Sequence, residues 1–261
     1  MIFAQITDLH VGHKLSLAGG EVDPLAQVKR VIVHLSTLKP AVDLILLTGD
    51  LSETGAIETY MELKEVLQAA TMPVFLIPGN HDDKDNLRMI FDDHGYLTGD
   101  DEFLHFVIEG YPLRLLGLDT LIPGEEGGCL CSRRLAWFEA RLAEAPATPT
   151  LVFMHHPPCA TGLSFFDRMR FRGGDEMGVI IARHSQVAGV ICGHVHRAIH
   201  VRWCGTVVST APSVSFQYPL EFDSNAAVEP VLEPPAYRLH VWRPEVGLLS
   251  HLSYVDSARV P

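Results

Sequence analysis

The sequence predicts an α/β fold of mixed sheets with helices packed outside them, built as one domain across residues 1–261. Three observations carry this reading. Five short apolar runs have the length of buried strands. Between the early runs, apolar residues recur every three or four positions, the period of a helix with one buried face. The later segments pair as hairpins instead, so the strands begin parallel and end antiparallel.

In chain order, "IFAQI" at 2–6 is the first strand. A helix follows over 25–38, with Val28, Val31, Ile32, Leu35 and Leu38 on one face. "LILL" (44–47) is the second strand, and 57–69 repeats the helical pattern with Tyr60, Leu63, Val66 and Leu67. "VFLI" (74–77) is the third strand. Residues 103–110 and 113–119 form a hairpin around Tyr111-Pro112. "LVFM" (151–154) and "GVIC" (189–192) are the remaining buried strands. Two more hairpins turn near Gly205 and near Pro244-Glu245. The stretch from Thr161 to Asp175 lacks periodicity. That from Pro219 to Pro235, rich in Pro, Ala, Glu and Asp, reads as a surface excursion.

With 32 acidic against 20 basic side chains, the net charge is −12. This argues against general nucleic-acid binding, which needs a basic face to displace counterions. An acidic chain that handles an anion must supply positive charge locally, and metal ions are one means. No apolar run reaches the ~18–20 residues of a membrane span. No basic leader opens the chain. A cytoplasmic protein is expected. The five cysteines are odd in number and form no C-x-x-C pair, so reduced thiols are expected.

Each buried strand runs directly into potential metal ligands. The first ends in Thr7-Asp8-Leu9-His10, the second in Thr48-Gly49-Asp50, and the third in Gly79-Asn80-His81-Asp82. The fourth ends in His155-His156-Pro157 and the fifth in Gly193-His194-Val195-His196. Any one of these alone reads as a turn. Together they place Asp, Asn and His at five strand ends, and open α/β sheets bind ligands beyond the carboxyl ends of their strands. Parallel neighbours are expected to bring all five to one edge. Nitrogen and oxygen donors without cysteine suit Zn, Fe, Mn or Co. The donors are too many for one ion. Two ions ~3.5–4 Å apart with a shared carboxylate use them all, and such a pair clamps a phosphoryl group.

The ordered motifs D-x-H, G-D, G-N-H-D, H-H and G-H-x-H, spanning residues 8–196, resemble those of the calcineurin-like metallophosphoesterases. The stretches "LIPGNHDDK", "FMHHPP" and "CGHVHR" are most similar to bacterial class III cyclic-nucleotide phosphodiesterases and glycerophosphodiesterases. The resemblance implies a four-layer αββα sandwich. It also implies two divalent transition-metal ions (Fe, Mn, Zn or Co). Asp8, His10 and His196 would hold the first and Asn80, His155 and His194 the second, with Asp50 between them. His156 would bind no ion. His81 would face the substrate as hydrogen-bond donor or general acid, and Asp82 would orient a histidine or cap the next helix. The implied reaction is attack of a metal-bound hydroxide on a small phosphodiester, with 3′,5′-cyclic nucleotides ahead of glycerophosphodiesters. A phosphomonoesterase or pyrophosphatase is the alternative. A DNA nuclease and a non-catalytic scaffold are more remote.

Substrate choice is expected to lie outside the metal core. Arg168, in "GLSFFDRMRFRGGDE", is a candidate phosphate contact, and Asn80 and His81 are candidate substrate contacts. Many similar proteins carry a histidine where "APSVSFQYPL" has Phe216, which suggests an apolar contact there. The resemblance further implies a homo-oligomer, a dimer or larger, joined through the late hairpins and a cap, for which the excursion at 219–235 is the candidate.

Overall fold

The computed structural model describes residues 1–12, 14–17, 20–98 and 102–255. The strands are β1 (Ile2–Ile6), β2 (Leu15–Leu17), β3 (Gly20–Val22), β4 (Leu44–Thr48), β5 (Val74–Ile77), β6 (Phe106–Ile108), β7 (Arg114–Leu118), β8 (Thr150–Met154), β9 (Val187–Cys192), β10 (His200–Trp203), β11 (Thr206–Thr210), β12 (Ala236–Arg243) and β13 (Gly247–Tyr254). The helices are α1 (Pro24–Thr37), α2 (Ile57–Leu67), α3 (Lys84–Ile90), α4 (Ser132–Glu144), α5 (Ser164–Asp167) and α6 (Gly174–Arg183).

Two sheets occupy the middle of the molecule. The first has the order β13-β12-β1-β4-β5 and the second β10-β11-β9-β8-β7-β6, while β2 and β3 form a small separate ribbon. Strands β1, β4 and β5 run parallel, as do β7, β8, β9 and β11. The hairpin strands β6, β10, β12 and β13 are added antiparallel at the sheet margins. The largely apolar β4 and β8 are buried at every residue, as strands covered on both faces must be.

Covering follows from the residue patterns. Helix α1 buries Val28, Val31, Ile32 and Leu35, and α2 buries Tyr60, Leu63 and Leu67. These join an apolar cluster that runs through the first sheet to Leu115, Leu151 and Phe153 of the second. Their chain neighbours Leu116 and Val152 point to the opposite face, since strand side chains alternate. There they meet Phe138 and Leu142 of α4 and Met177 and Ile181 of α6. The order is helix, sheet, sheet, helix. Buried polar groups join the sheets where the ligand-bearing loops begin. The Gln5 amide donates to Thr48 Oγ1 at 3.0 Å and to the Cys192 carbonyl at 2.9 Å.

Three features were not legible in the periodicity. Helix α4 places Arg134 on its buried side, where the guanidinium donates to the Cys129 and Leu121 carbonyls, so a charged residue interrupts the apolar stripe. Helix α6 opens on Gly173 with a left-handed backbone and carries two acidic residues in its first turn, which hides its start. The five ligand-bearing ends also do not share one sheet edge. Those of β1, β4 and β5 belong to one sheet and those of β8 and β9 to the other, so they converge across the sandwich. The five cysteines are unpaired. The excursion from 219 to 235 holds no helix or regular strand and folds back through the Gln217–Val231 bridge and the Arg197–Glu233 ion pair. No helix among the described residues is long and apolar enough to cross a membrane.

Candidate metal centre

The loops that leave the strands turn sharply at the expected ligand positions themselves. Asp8, His10, Asp50, His194 and His196 all have φ between 47° and 71°. They are five of the seven described non-glycine residues with positive φ. A left-handed backbone costs a side-chain-bearing residue about 1–3 kcal/mol and persists where surrounding contacts impose it, commonly at functional sites. The glycines of the motifs serve close packing. A Cβ at Gly79 would lie 2.1 Å from Asp50 Oδ1, and one at Gly193 would lie 2.0 Å from Thr7 Oγ1.

Two sets of acceptor atoms meet at Asp50. In the first, His10 Nε2 faces His196 Nε2 at 3.1 Å, and His196 Nε2 lies 3.4 Å from Asp8 Oδ1. In the second, His155 Nε2 lies 3.2 Å from Asn80 Oδ1, which is 3.1 Å from His194 Nδ1. Asp50 Oδ2 is 3.3 Å from His155 Nε2 and 3.7 Å from His10 Nε2. The structure therefore brings together all seven residues expected to bind metal.

The donor chemistry fits cations. His10 Nδ1 lies 2.6 Å from Glu53 Oε2, and His196 Nδ1 lies 2.8 Å from the Phe216 carbonyl. His155 Nδ1 lies 2.8 Å from the Thr48 carbonyl. These oxygens only accept, so each Nδ1 carries a proton, and in the neutral form of each ring the lone pair lies inward on Nε2. Buried lone pairs and carboxylate oxygens facing one another repel unless a cation lies among them. Ligand atoms ~2.1 Å from one ion stand ~3.0–3.4 Å apart, which matches most of the spacings observed. The pull on protons is visible in the same atoms. Burial opposes charge on His155, but Asp50 and Asp8 outweigh it and push the imidazole up to about 9. Burial lifts the Asp8 carboxyl to about 6. Burial would lift Asp50 too, but His155, His10 and His81 hold it well below the usual carboxylate range.

Other expected residues have different surroundings. Both ring nitrogens of His156 are engaged by protein, at 2.8 Å to Thr120 Oγ1 and 3.2 Å to the Glu126 carbonyl. His81 packs edge-on against the His10 ring at 4.8 Å, and its Nδ1 donates to the Glu53 carbonyl at 3.0 Å. The Phe216 ring is 6% exposed and lies against His10 and His196 at 5.0 and 4.6 Å. It presents packing and a carbonyl rather than an open face. Arg168 donates to the Ser224 carbonyl and stands over the Phe165 ring, so it ties the excursion to the 161–175 loop and does not join the ligand cluster. Beside His156 and His194 a cavity of about 500 Å³ opens, lined also by Arg170, Phe171 and Asp175.

Asp82 neither orients a histidine nor caps a helix. Its carboxylate accepts from the backbone of Leu51, Ser52 and Gly79 and from the Tyr60 hydroxyl, latching the loop after β4 to that after β5. The cap of α3 is Asp83, which accepts from Asp85 N and Asn86 N. Asp82→Ala leaves several buried donors unpaired and is expected to lower stability by about 2–4 kcal/mol. Urea unfolding of both proteins measures it, and an unchanged midpoint contradicts the latch. Glu53 was not anticipated, because nothing in "LSETG" marks it and its partner is 43 positions away.

Comparison with known proteins places these residues in context. The model of the family described as calcineurin-like phosphoesterase matches residues 1–198. A probable glycerophosphodiester phosphodiesterase GpdQ of Arcobacter nitrofigilis is 36% identical over 262 residues, covering 100% of this chain and 96% of its own. The 3′,5′-cyclic adenosine monophosphate phosphodiesterase CpdA of Escherichia coli K12 is 28% identical over 214 residues, covering 82% of this chain and 76% of its own. The crystal structure of a dimetal phosphatase from Danio rerio aligns over 98% of this chain and 99% of its own, with a TM-score of 0.67 at 15% identity.

Proposed function

The chain belongs to the calcineurin-like phosphoesterase family, and from that premise we propose that it hydrolyses small phosphodiesters at a centre of two divalent ions. The observation that carries this is the pair of buried acceptor sets meeting at Asp50. In this reading Asp8, His10 and His196 hold one ion, Asn80, His155 and His194 hold the other, and Asp50 is shared. The mixed nitrogen and oxygen donors suit Zn, Fe, Mn or Co. Bound there, such ions supply Lewis acidity and make a nucleophile of water near neutral pH.

The protein's own part is placement. Backbone carbonyls and Glu53 hold the ring nitrogens of His10, His155 and His196 toward the centre. The buried surroundings strengthen every charge interaction made there. His81 stands beside His10 with Nε2 free of any described partner, positioned to donate to a phosphoryl or leaving-group oxygen. The cavity beside His194 supports a substrate with a second ester arm.

The relative at 36% identity over the whole chain supports an acyclic glycerophosphodiester ahead of a cyclic nucleotide. The test is turnover with Mn²⁺, Co²⁺, Zn²⁺ or Fe²⁺ restored to chelator-treated protein. Bis-p-nitrophenyl phosphate is expected to react faster than p-nitrophenyl phosphate, and glycerophosphoethanolamine faster than cyclic AMP. Preference for the monoester overturns the diesterase reading. Preference for cyclic AMP reverses the order of the two substrates.

A further inference from the structure

We propose that Glu53 is a positioning residue whose carboxylate fixes the tautomer of His10 and so determines whether that ring can bind metal. The inference rests on the dinuclear reading and deepens it.

His10 is useful to a cation only through Nε2, the atom 3.1 Å from His196 Nε2 and 3.7 Å from Asp50 Oδ2. A neutral imidazole offers a lone pair on one nitrogen only, so the proton must reside on Nδ1. Glu53 Oε2, at 2.6 Å, is an acceptor with no proton to give and compels that choice. The inward nitrogens of His155 and His196 are set differently, by the carbonyls of Thr48 and Phe216. His10 alone among these three depends on a side chain. A carboxylate in this place also raises the basicity of the ring it holds.

The backbone brings Glu53 there. Beyond β1 and β4 the two loops continue to pair. Val11 N donates to the Leu51 carbonyl at 3.1 Å, and Glu53 N donates to the Val11 carbonyl at 2.9 Å. Val11 and Ser52 form an isolated parallel bridge. Glu53 thus lies opposite His10, although its side chain is 36% exposed and free to turn to solvent. Its carbonyl accepts from His81 Nδ1 at 3.0 Å, so one residue serves a ligand and the substrate-side histidine through different atoms. His10, Glu53 and His81 also form a third group of ligand-type atoms. The 2.6 Å contact is a hydrogen bond, shorter than the ~3.0–3.4 Å separating two ligands of one ion.

The test compares Glu53→Ala and Glu53→Gln with the parent protein. The alanine variant keeps the carbonyl that holds His81; it removes the acceptor for His10 and the Oε1 that stands 3.9 Å from His81 Nδ1. Glutamine keeps an acceptor oxygen without the charge. Co²⁺ titrations followed by visible absorption and by metal analysis are the readouts, with thermal melting in chelator as a folding control. Glu53→Ala is expected to bind one of the two ions about 10–100-fold more weakly and to alter its absorption band, while the other ion is unaffected. Glu53→Gln is expected to restore most of that affinity. Unchanged affinity for both ions in Glu53→Ala overturns the proposal, as does a glutamine variant as weak as alanine. If the parent protein binds no Co²⁺, the dinuclear reading falls and this proposal with it. Two ions bound with equal affinity in both proteins removes only the role of Glu53.

Discussion

Asp50→Ala is expected to lose one or both ions and to reduce turnover by roughly a thousandfold or more, because the charge that stabilises the reacting phosphoryl group leaves with them. Asp50 lies between the two sets, with Oδ2 at 3.3 Å from His155 Nε2 and 3.7 Å from His10 Nε2. Its Oδ1 accepts from His81 N at 3.0 Å, so the same side chain anchors the loop after β5. Without it, the inward nitrogens of His10 and His155 lose the carboxylate oxygen that lies within 4 Å of both. Metal analysis after gel filtration and bis-p-nitrophenyl phosphate turnover are the measurements. Asp50→Asn controls for shape, since it keeps the side chain that fills the space beside Gly79. Full metal content with retained activity in Asp50→Ala contradicts the shared-ligand assignment.

His81→Ala is expected to keep both ions and lose about 10²–10⁴ in turnover, the contribution typical of a positioned proton donor. His81 is not required by either acceptor set. Its Nδ1 is committed to the Glu53 carbonyl, and its ring is 36% exposed beside buried His10. The leaving group separates its two possible roles. If His81 donates a proton to the departing oxygen, the loss is larger for an alkyl diester than for bis-p-nitrophenyl phosphate, whose nitrophenolate leaves without one. If it stabilises only the phosphoryl oxygens, both substrates lose equally. Loss of metal in His81→Ala contradicts the separation of ligand from donor.

Much of this centre was legible because ligand-type residues stood at the ends of runs that could only be buried strands. The first two helices were legible for a related reason: their apolar faces are uninterrupted, whereas Arg134 breaks that of α4. The roles of Asp82 and Glu53 were not legible. Each acts on residues some 30 to 40 positions away through hydrogen bonds that no local pattern encodes. Phe216 packs against His10 and His196, whereas Arg168 ties the excursion to the 161–175 loop; these contacts depend on where the excursion returns and on which side of His196 the chain passes.

The sequence by itself determined the kinds of element, their order and the donor atoms, since these follow from hydrophobic period and side-chain chemistry. Tertiary structure alone decided that three strand ends of one sheet meet two of another and that five of the expected ligand residues take a left-handed backbone. It also decided which nitrogen of each histidine turns inward. Strand order and imidazole tautomer are both set by hydrogen bonds between segments distant in the chain, and those exist only once the two sheets have packed.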